Sequence, residues 1–250
     1  MDKRLSTEIQ EKSPLLQVVG ATVVYSTKTS RNTANYRVSF EVEEGNIVMF
    51  LGHSGCGKTT LLNAIGGYLP TAEGEILLDG KKVVGPGPDR MVVWQDTNQL
   101  FNWLTVLQNV VFPQVSNGIS KAEATERAVH FLRKVKLMDH LKKYPHQLSG
   151  GMKMRVAIAR ALAMKPKMLL MDEPFAALDA LAREQLQDEV LKISKEEGTT
   201  IVFVTHDIKE AVKMADKIIV LSKNHGQVKA IFRGKQEGLE QKIEELIKGE

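Results

Sequence analysis

The spacing of apolar residues along the chain changes character twice. From Leu15 to Val83 they come in short runs of strand length: Leu15 to Val19, Val23 to Tyr25, Arg37 to Val42 and Ile47 to Leu51. GEILLDGKKV, Gly74 to Val83, predicts a hairpin, because Asp79-Gly80 tolerates the left-handed backbone that a two-residue turn requires. Thr59 to Gly66 predicts a helix shortly after the strand Ile47 to Leu51. The middle of the chain is helical. Ser120 and Glu123 form a capping box ahead of Ala124, Ala128, Phe131 and Val135, which share one helical face. MKMRVAIARALAM follows Ser149-Gly150-Gly151 and stops before Pro166. The last third alternates again. Met168 to Met171, Ile201 to Val204 and Ile218 to Leu221 are continuous apolar runs, the pattern of parallel strands buried on both faces. Helical stretches from Ala180 to Glu197 and from Ile208 to Ala215 separate them. The tail from Gly238 to Lys248 brings Leu239, Ile243, Leu246 and Ile247 near one side, as expected of an amphipathic helix docked on its own domain.

Composition narrows the class without naming a function. With 250 residues, 43% hydrophobic and 26% charged, the chain reads as globular. No apolar run approaches the roughly 20 residues of a membrane span, and Met1-Asp2-Lys3-Arg4 leads into a polar stretch without the apolar core of a signal peptide. The expected setting is the cytosol, or a membrane surface reached through a partner. The single cysteine, Cys56, leaves no internal disulfide and no cysteine-based zinc cluster. The net charge of +4 raises nucleic acid as a partner, but the basic residues are scattered and no aromatics are interleaved with them. The expectation is therefore no nucleic acid.

The chemistry begins behind the strand Ile47 to Leu51. Gly52-His53-Ser54-Gly55-Cys56-Gly57-Lys58-Thr59 satisfies G-x-x-x-x-G-K-[ST], and Thr60 follows in the predicted helix. Glycines let the backbone wrap a polyphosphate with its N–H groups turned inward. The following helix adds its positive end. Lys58 is placed to reach the β- and γ-phosphates, and Thr59 to offer its hydroxyl to Mg²⁺. His53 and Cys56 fill free positions as spacers. This loop predicts a site for a nucleoside triphosphate. Hydrolysis needs acidic groups as well, and Met168-Leu169-Leu170-Met171 ends in Asp172-Glu173. Successive strand residues point opposite ways, so Asp172 can join the Mg²⁺ shell while Glu173 acts on the attacking water. His206, closing the strand Ile201 to Val204, ends on the same edge of a parallel sheet.

Taken together, these pieces resemble the ATP-binding subunit of an ABC transporter over about residues 15 to 225. The most specific stretch is Leu148-Ser149-Gly150-Gly151-Met152 with MRVAIARAL behind it, which resembles the LSGGQ signature of that family. The glycine loop, Gln95, LSGGM, LLMDEP, the Ala177-Leu178-Asp179 motif and His206 stand in the family's order. Physically, Ser149-Gly150-Gly151 opens a helix and is a second anion site of backbone N–H groups. The resemblance implies that two copies pair head to tail, so that Ser149, Gly150, Gly151 and Met152 act on the partner's nucleotide; Met152 replaces the usual glutamine. It further implies that Gln95 touches Mg²⁺ and the attacking water, that Tyr25 stacks on adenine, and that Asp179 steadies the partner's glycine loop.

The expected architecture is α/β: a P-loop NTPase core with a mainly parallel sheet, an N-terminal antiparallel β subdomain and an inserted α-helical subdomain. The expected division is one domain over 1–250, with arm and core at about 13–94 and 166–235, the helical insertion at about 95–165 and a tail at about 236–250. The expected function is ATP hydrolysis coupled to a separate transmembrane permease at the cytoplasmic face of the membrane, with ATP and Mg²⁺ as ligands. Thr97 to Phe112, TNQLFNWLTVLQNVVF, and Phe175 to Arg183, FAALDALAR, resemble nitrate, sulfonate and taurine-type importers, which work with a solute-binding protein. Asn102, where proline is usual, and Pro113-Gln114, where Gly-Leu is expected, depart from that pattern and leave the solute open. The alternative is a soluble ABC-type ATPase of translation or DNA maintenance; the two nucleotide domains or long coiled coil usual there are absent from this sequence. A nucleotide sensor that binds without turnover is a third reading, opposed by Asp172, Glu173 and His206.

Overall fold

The computed structural model describes residues 14–26, 31–234 and 236–249; the Met1 to Arg4 stretch lies outside them. Among the described residues, two sheets carry the fold. The first is antiparallel, in the order β2-β1-β4-β5, from β1 (Leu16–Ser26), β2 (Arg31–Val42), β4 (Glu73–Leu78) and β5 (Lys81–Lys82). The hairpin forms as expected, with φ of 51° at Asp79 and 69° at Gly80 in the two-residue turn between β4 and β5. The two separate strands expected at Leu15 to Val19 and Val23 to Tyr25 are one. β1 runs through the polar interruption by shifting register between Val18 and Ala21, where Gly20 adopts φ 56° and its N–H donates to Ser39 Oγ at 2.8 Å.

The second sheet has the order β10-β9-β3-β8-β7-β6: β3 (Ile47–Leu51), β6 (Arg90–Val93), β7 (Met168–Asp172), β8 (Thr200–Val204), β9 (Lys217–Leu221) and β10 (Val228–Arg233). All its pairings are parallel except that of the edge strand β10 with β9. The central strands β3, β7, β8 and β9 are buried at every position, which is why they read as continuous apolar runs.

Alternate residues of these strands feed two cores. Met49, Met171 and Phe203 point to one side, where they meet the helical layer of α3 (Lys121–Lys134), α4 (Gly150–Ala163), α5 (Ala180–Glu197) and α7 (Leu239–Lys248). Phe50, Leu170 and Val202 point to the other, against α1 (Lys58–Ile65) and the antiparallel sheet. The α3 face read from the sequence is buried at Ala124, Ala128, Phe131 and Val135, and Ser120 caps the helix by accepting from the Glu123 N–H. α2 (Val106–Ser116) and α6 (Ile208–Met214) are further α-helices among the described residues. Leu239 and Ile243 of α7 are buried in the first core, with Leu246 and Ile247 half-buried against it.

One buried charge strains this frame. Glu210 of α6 accepts from Gln187 Nε2 at 2.9 Å and is buried. Burial pushes its carboxyl above the ordinary carboxylate range, aided by the Asp207 charge and only partly opposed by hydrogen bonds from Thr205 and Gln187 and by Arg183. The folded chain therefore holds this proton to higher pH than the unfolded chain. Its contribution is most favourable below the unfolded pKa of about 4.3 and is lost as pH rises through the folded value. Glu210→Gln is expected to raise stability at pH 7–8 by on the order of 1 kcal/mol, read as about 2–4 °C in Tm. The gain should shrink towards zero below about pH 4 in thermal melts across pH.

Candidate active site

The glycine loop leaves the C-terminal end of β3 and enters α1, as the sequence predicts. Gly57 stands immediately before the helix with φ 101°, and a Cβ there would lie 2.6 Å from the Ala34 carbonyl oxygen of β2. Only glycine allows both the backbone angle and that approach. Lys58 is buried, and its Nζ donates to the carbonyls of Gly52 at 2.8 Å and His53 at 2.9 Å, so the ammonium is held over the loop. Cys56 and Thr60 are buried; Ser54, Gly55 and Thr59 are exposed.

An open cleft of about 380 Å³ lies before the loop, lined by Tyr25, Ser54, Lys58, Thr59, Thr60 and Glu173 among others. Tyr25, 48% exposed on β1, therefore stands at the same opening as the glycine-loop residues.

The acidic pair arrives from β7. Thr59 Oγ1 donates to Asp172 Oδ1 at 2.9 Å, joining α1 to the end of β7. Burial raises the Asp172 carboxyl, and the neighbouring Glu173 charge adds to this; the Thr59 hydrogen bond and Lys58 pull it down. A carboxylate so placed gains from any cation brought to it. Glu173 has φ 43°, a left-handed backbone uncommon for a residue with a Cβ, and its N–H donates to the Val204 carbonyl at 3.0 Å. That turn aims its side chain at His206, whose Nδ1 lies 3.1 Å from Glu173 Oε2. Thr205 N–H reaches Phe50 O at 3.1 Å, so the ends of β3, β7 and β8 are tied together behind the cluster. Strain of this kind collects at functional positions, and it is invisible in the sequence.

Other predicted residues stand elsewhere. Ser149 caps α4, accepting from the Met152 N–H at 3.3 Å, with Ser149 and Gly150 exposed and Gly151 and Met152 half-buried. Asp179, exposed, caps α5 by accepting from the Ala182 N–H at 2.9 Å. Gln95 is exposed at the bend after β6, and the loop around it is fastened by Gln99 Nε2, which donates to Trp94 O at 2.7 Å and Asp96 O at 2.9 Å. Gln95, His206 and the Ser149 to Met152 segment do not line the loop's cleft. Among the described residues, no helix is long and apolar enough to cross a membrane.

Two supports of the loop carry no signal in the sequence. Asn35, fully buried on β2, donates to the Gly226 carbonyl at 3.3 Å, and the Gly226 turn closes on the loop at the Cys56 carbonyl. His53, read as a spacer, contacts α7: its Nε2 donates to the Ile247 carbonyl at 2.9 Å.

Comparison with known proteins gives the family. Residues 36–176 match the model of the family described as ABC transporter. The chain is 48% identical to the nitrate transport protein NasD of Klebsiella oxytoca over 212 residues, 84% of this chain and 80% of that protein. It is 44% identical to the taurine import ATP-binding protein TauB of Rhizobium johnstonii over 219 residues, 87% of this chain and 83% of that one. Among solved structures, a dimeric ATP-binding cassette in a post-hydrolysis state with ADP and Pi superposes with a TM-score of 0.77 at 34% identity, covering 87% of this chain and 98% of that one. With a family match over more than half of its length and relatives at 48% and 44% identity, the chain belongs to the ABC transporter family as one of its ATP-binding, ATP-hydrolysing proteins.

Proposed function

We propose that two copies of this chain, paired head to tail at the cytoplasmic face of the membrane, hydrolyse ATP to drive import of a small anion such as nitrate, a sulfonate or taurine through a separate permease. A solute-binding protein would deliver the anion on the far side. The observation that carries the enzymatic part is the Glu173–His206 contact beside Thr59–Asp172 at one sheet edge. What supports the pairing is the exposed start of α4: an anion-binding helix end that lies outside the chain's own cleft. The solute class rests on likeness to the nitrate and taurine proteins.

In this reading the backbone N–H groups from Gly52 to Thr60 cradle the phosphates, with Lys58 balancing the charge on the outer two. Tyr25 stacks on the base. The Glu173 carboxylate takes a proton from water as its oxygen bonds to the γ-phosphorus and the β–γ bridging P–O bond breaks; His206 orients that carboxylate and contacts the γ-phosphate. Ser149, Gly150, Gly151 and Met152 of the other copy close over the γ-phosphate, and Asp179 steadies the facing loop. Thr59 and Asp172 fit Mg²⁺, offering two hard oxygens 2.9 Å apart, one a carboxylate raised by burial. Gln95 would join them when the bend after β6 moves inward. Bound there, Mg²⁺ would neutralise charge developing on the phosphate oxygens.

Co-expression with a permease tests the transport claim. The expected result is recovery of this chain with the membrane protein and ATP turnover that rises with the transported anion. Recovery with ribosomes or DNA instead would favour the soluble ATPase of translation or DNA maintenance.

A further inference from the structure

The far end of the chain meets the phosphate loop at His53. A carbonyl can only accept, so His53 Nε2 carries the hydrogen in its 2.9 Å contact with Ile247 O. The backbone carbonyl of the same residue accepts from Lys58 Nζ at 2.9 Å. One residue thus holds Lys58 with its main chain and the tail helix with its ring. The last carbonyls of a helix have no partner inside it, and α7 satisfies two of them outside: Ile247 through His53, and Leu246 through Lys229 of β10 at 2.6 Å. An ammonium at that end also complements the helix dipole. Buried Leu239 and Ile243 pack the first half of α7 into the core, so the helix is held along its length.

We propose that His53 is a positioning residue through which docked α7 fixes the backbone of the phosphate loop, and with it the Lys58 ammonium, for phosphate binding. His53 touches Lys58 through its carbonyl and acts on the nucleotide through that lysine. Coupling of two sites is reciprocal, so ATP in the cleft tightens the docking of α7, and docked α7 tightens ATP. The inference rests on the nucleotide site described above.

The test pairs amide hydrogen exchange over residues 243–249 with ATP titration in the presence of Mg²⁺, using the full chain. In the parent protein, saturating ATP should slow exchange in the last turn of α7 by about 5-fold or more. Lys229→Met removes the second anchor without altering the loop. It should speed exchange there and weaken ATP binding by about 5-fold. His53→Ala should abolish the ATP dependence of the exchange, and adding Lys229→Met to it should weaken ATP little further, because both act along one path. Tail exchange indifferent to ATP in a parent that binds ATP would overturn the inference, as would a Lys229→Met protein with a loosened tail and unchanged ATP affinity. A parent that fails to bind ATP would instead contradict the nucleotide site itself, which separates the two failures.

Discussion

Replacing Glu173 with glutamine is expected to leave ATP binding intact and to lower hydrolysis about 100- to 10 000-fold, the range for loss of a general base. Glu173 sits beyond the end of β7 with a left-handed backbone fixed by the Val204 carbonyl, and its carboxylate faces His206 at 3.1 Å. Glutamine keeps the shape and can still hydrogen-bond to the imidazole, but it cannot take a proton from water. Lys58 and Thr59, which we propose hold the phosphates and Mg²⁺, are untouched, so affinity for ATP should change little. Single-turnover hydrolysis together with ATP titration separates the two effects. A variant hydrolysing at the parent rate would remove Glu173 from the mechanism.

Gly150→Asp should be nearly as damaging to turnover, by about 100-fold or more, the cost of losing a transition-state donor site, and harmless to the fold. Gly150 stands in the first turn of α4 with no positive φ and is exposed, so an aspartate fits its backbone and suits a helix N-terminus. The new carboxylate occupies the place where a phosphate would approach the helix. Because Gly150 does not line its own chain's cleft, ATP affinity of a single subunit should remain at the parent value. Loss of hydrolysis with retained binding and an unchanged Tm therefore points to a site completed by another copy. Parent-level hydrolysis would mean that the start of α4 takes no part.

Much of this was legible because each piece has local chemistry. The buried strands announced themselves by unbroken apolar runs such as Ile47 to Leu51, and the glycine loop by the residue types a phosphate cradle demands. β6 and β10 were not read: Arg90–Val93 is four residues opening on a charged one, and Val228–Arg233 is an edge strand mixing lysine and arginine with its apolar residues. β1 looked like two strands because a bulge resembles a break when only side-chain pattern is visible. Within the site, the residue types were readable, whereas the left-handed turn at Glu173, the buttress of Asn35 and Gly226, and the contact of His53 with Ile247 were not. That last pair is separated by 194 positions, and nothing in a loop pattern announces so distant a partner.

The composite site is most directly tested by the solution mass of Glu173→Gln, measured by light scattering with and without ATP. Slow turnover should trap the closed state, so ATP should convert the protein to a dimer, and adding Gly150→Asp to the same chain should abolish that conversion while ATP still binds. An ATP-saturated Glu173→Gln protein that keeps the mass of one chain, or a double variant that dimerises equally well, would contradict the account.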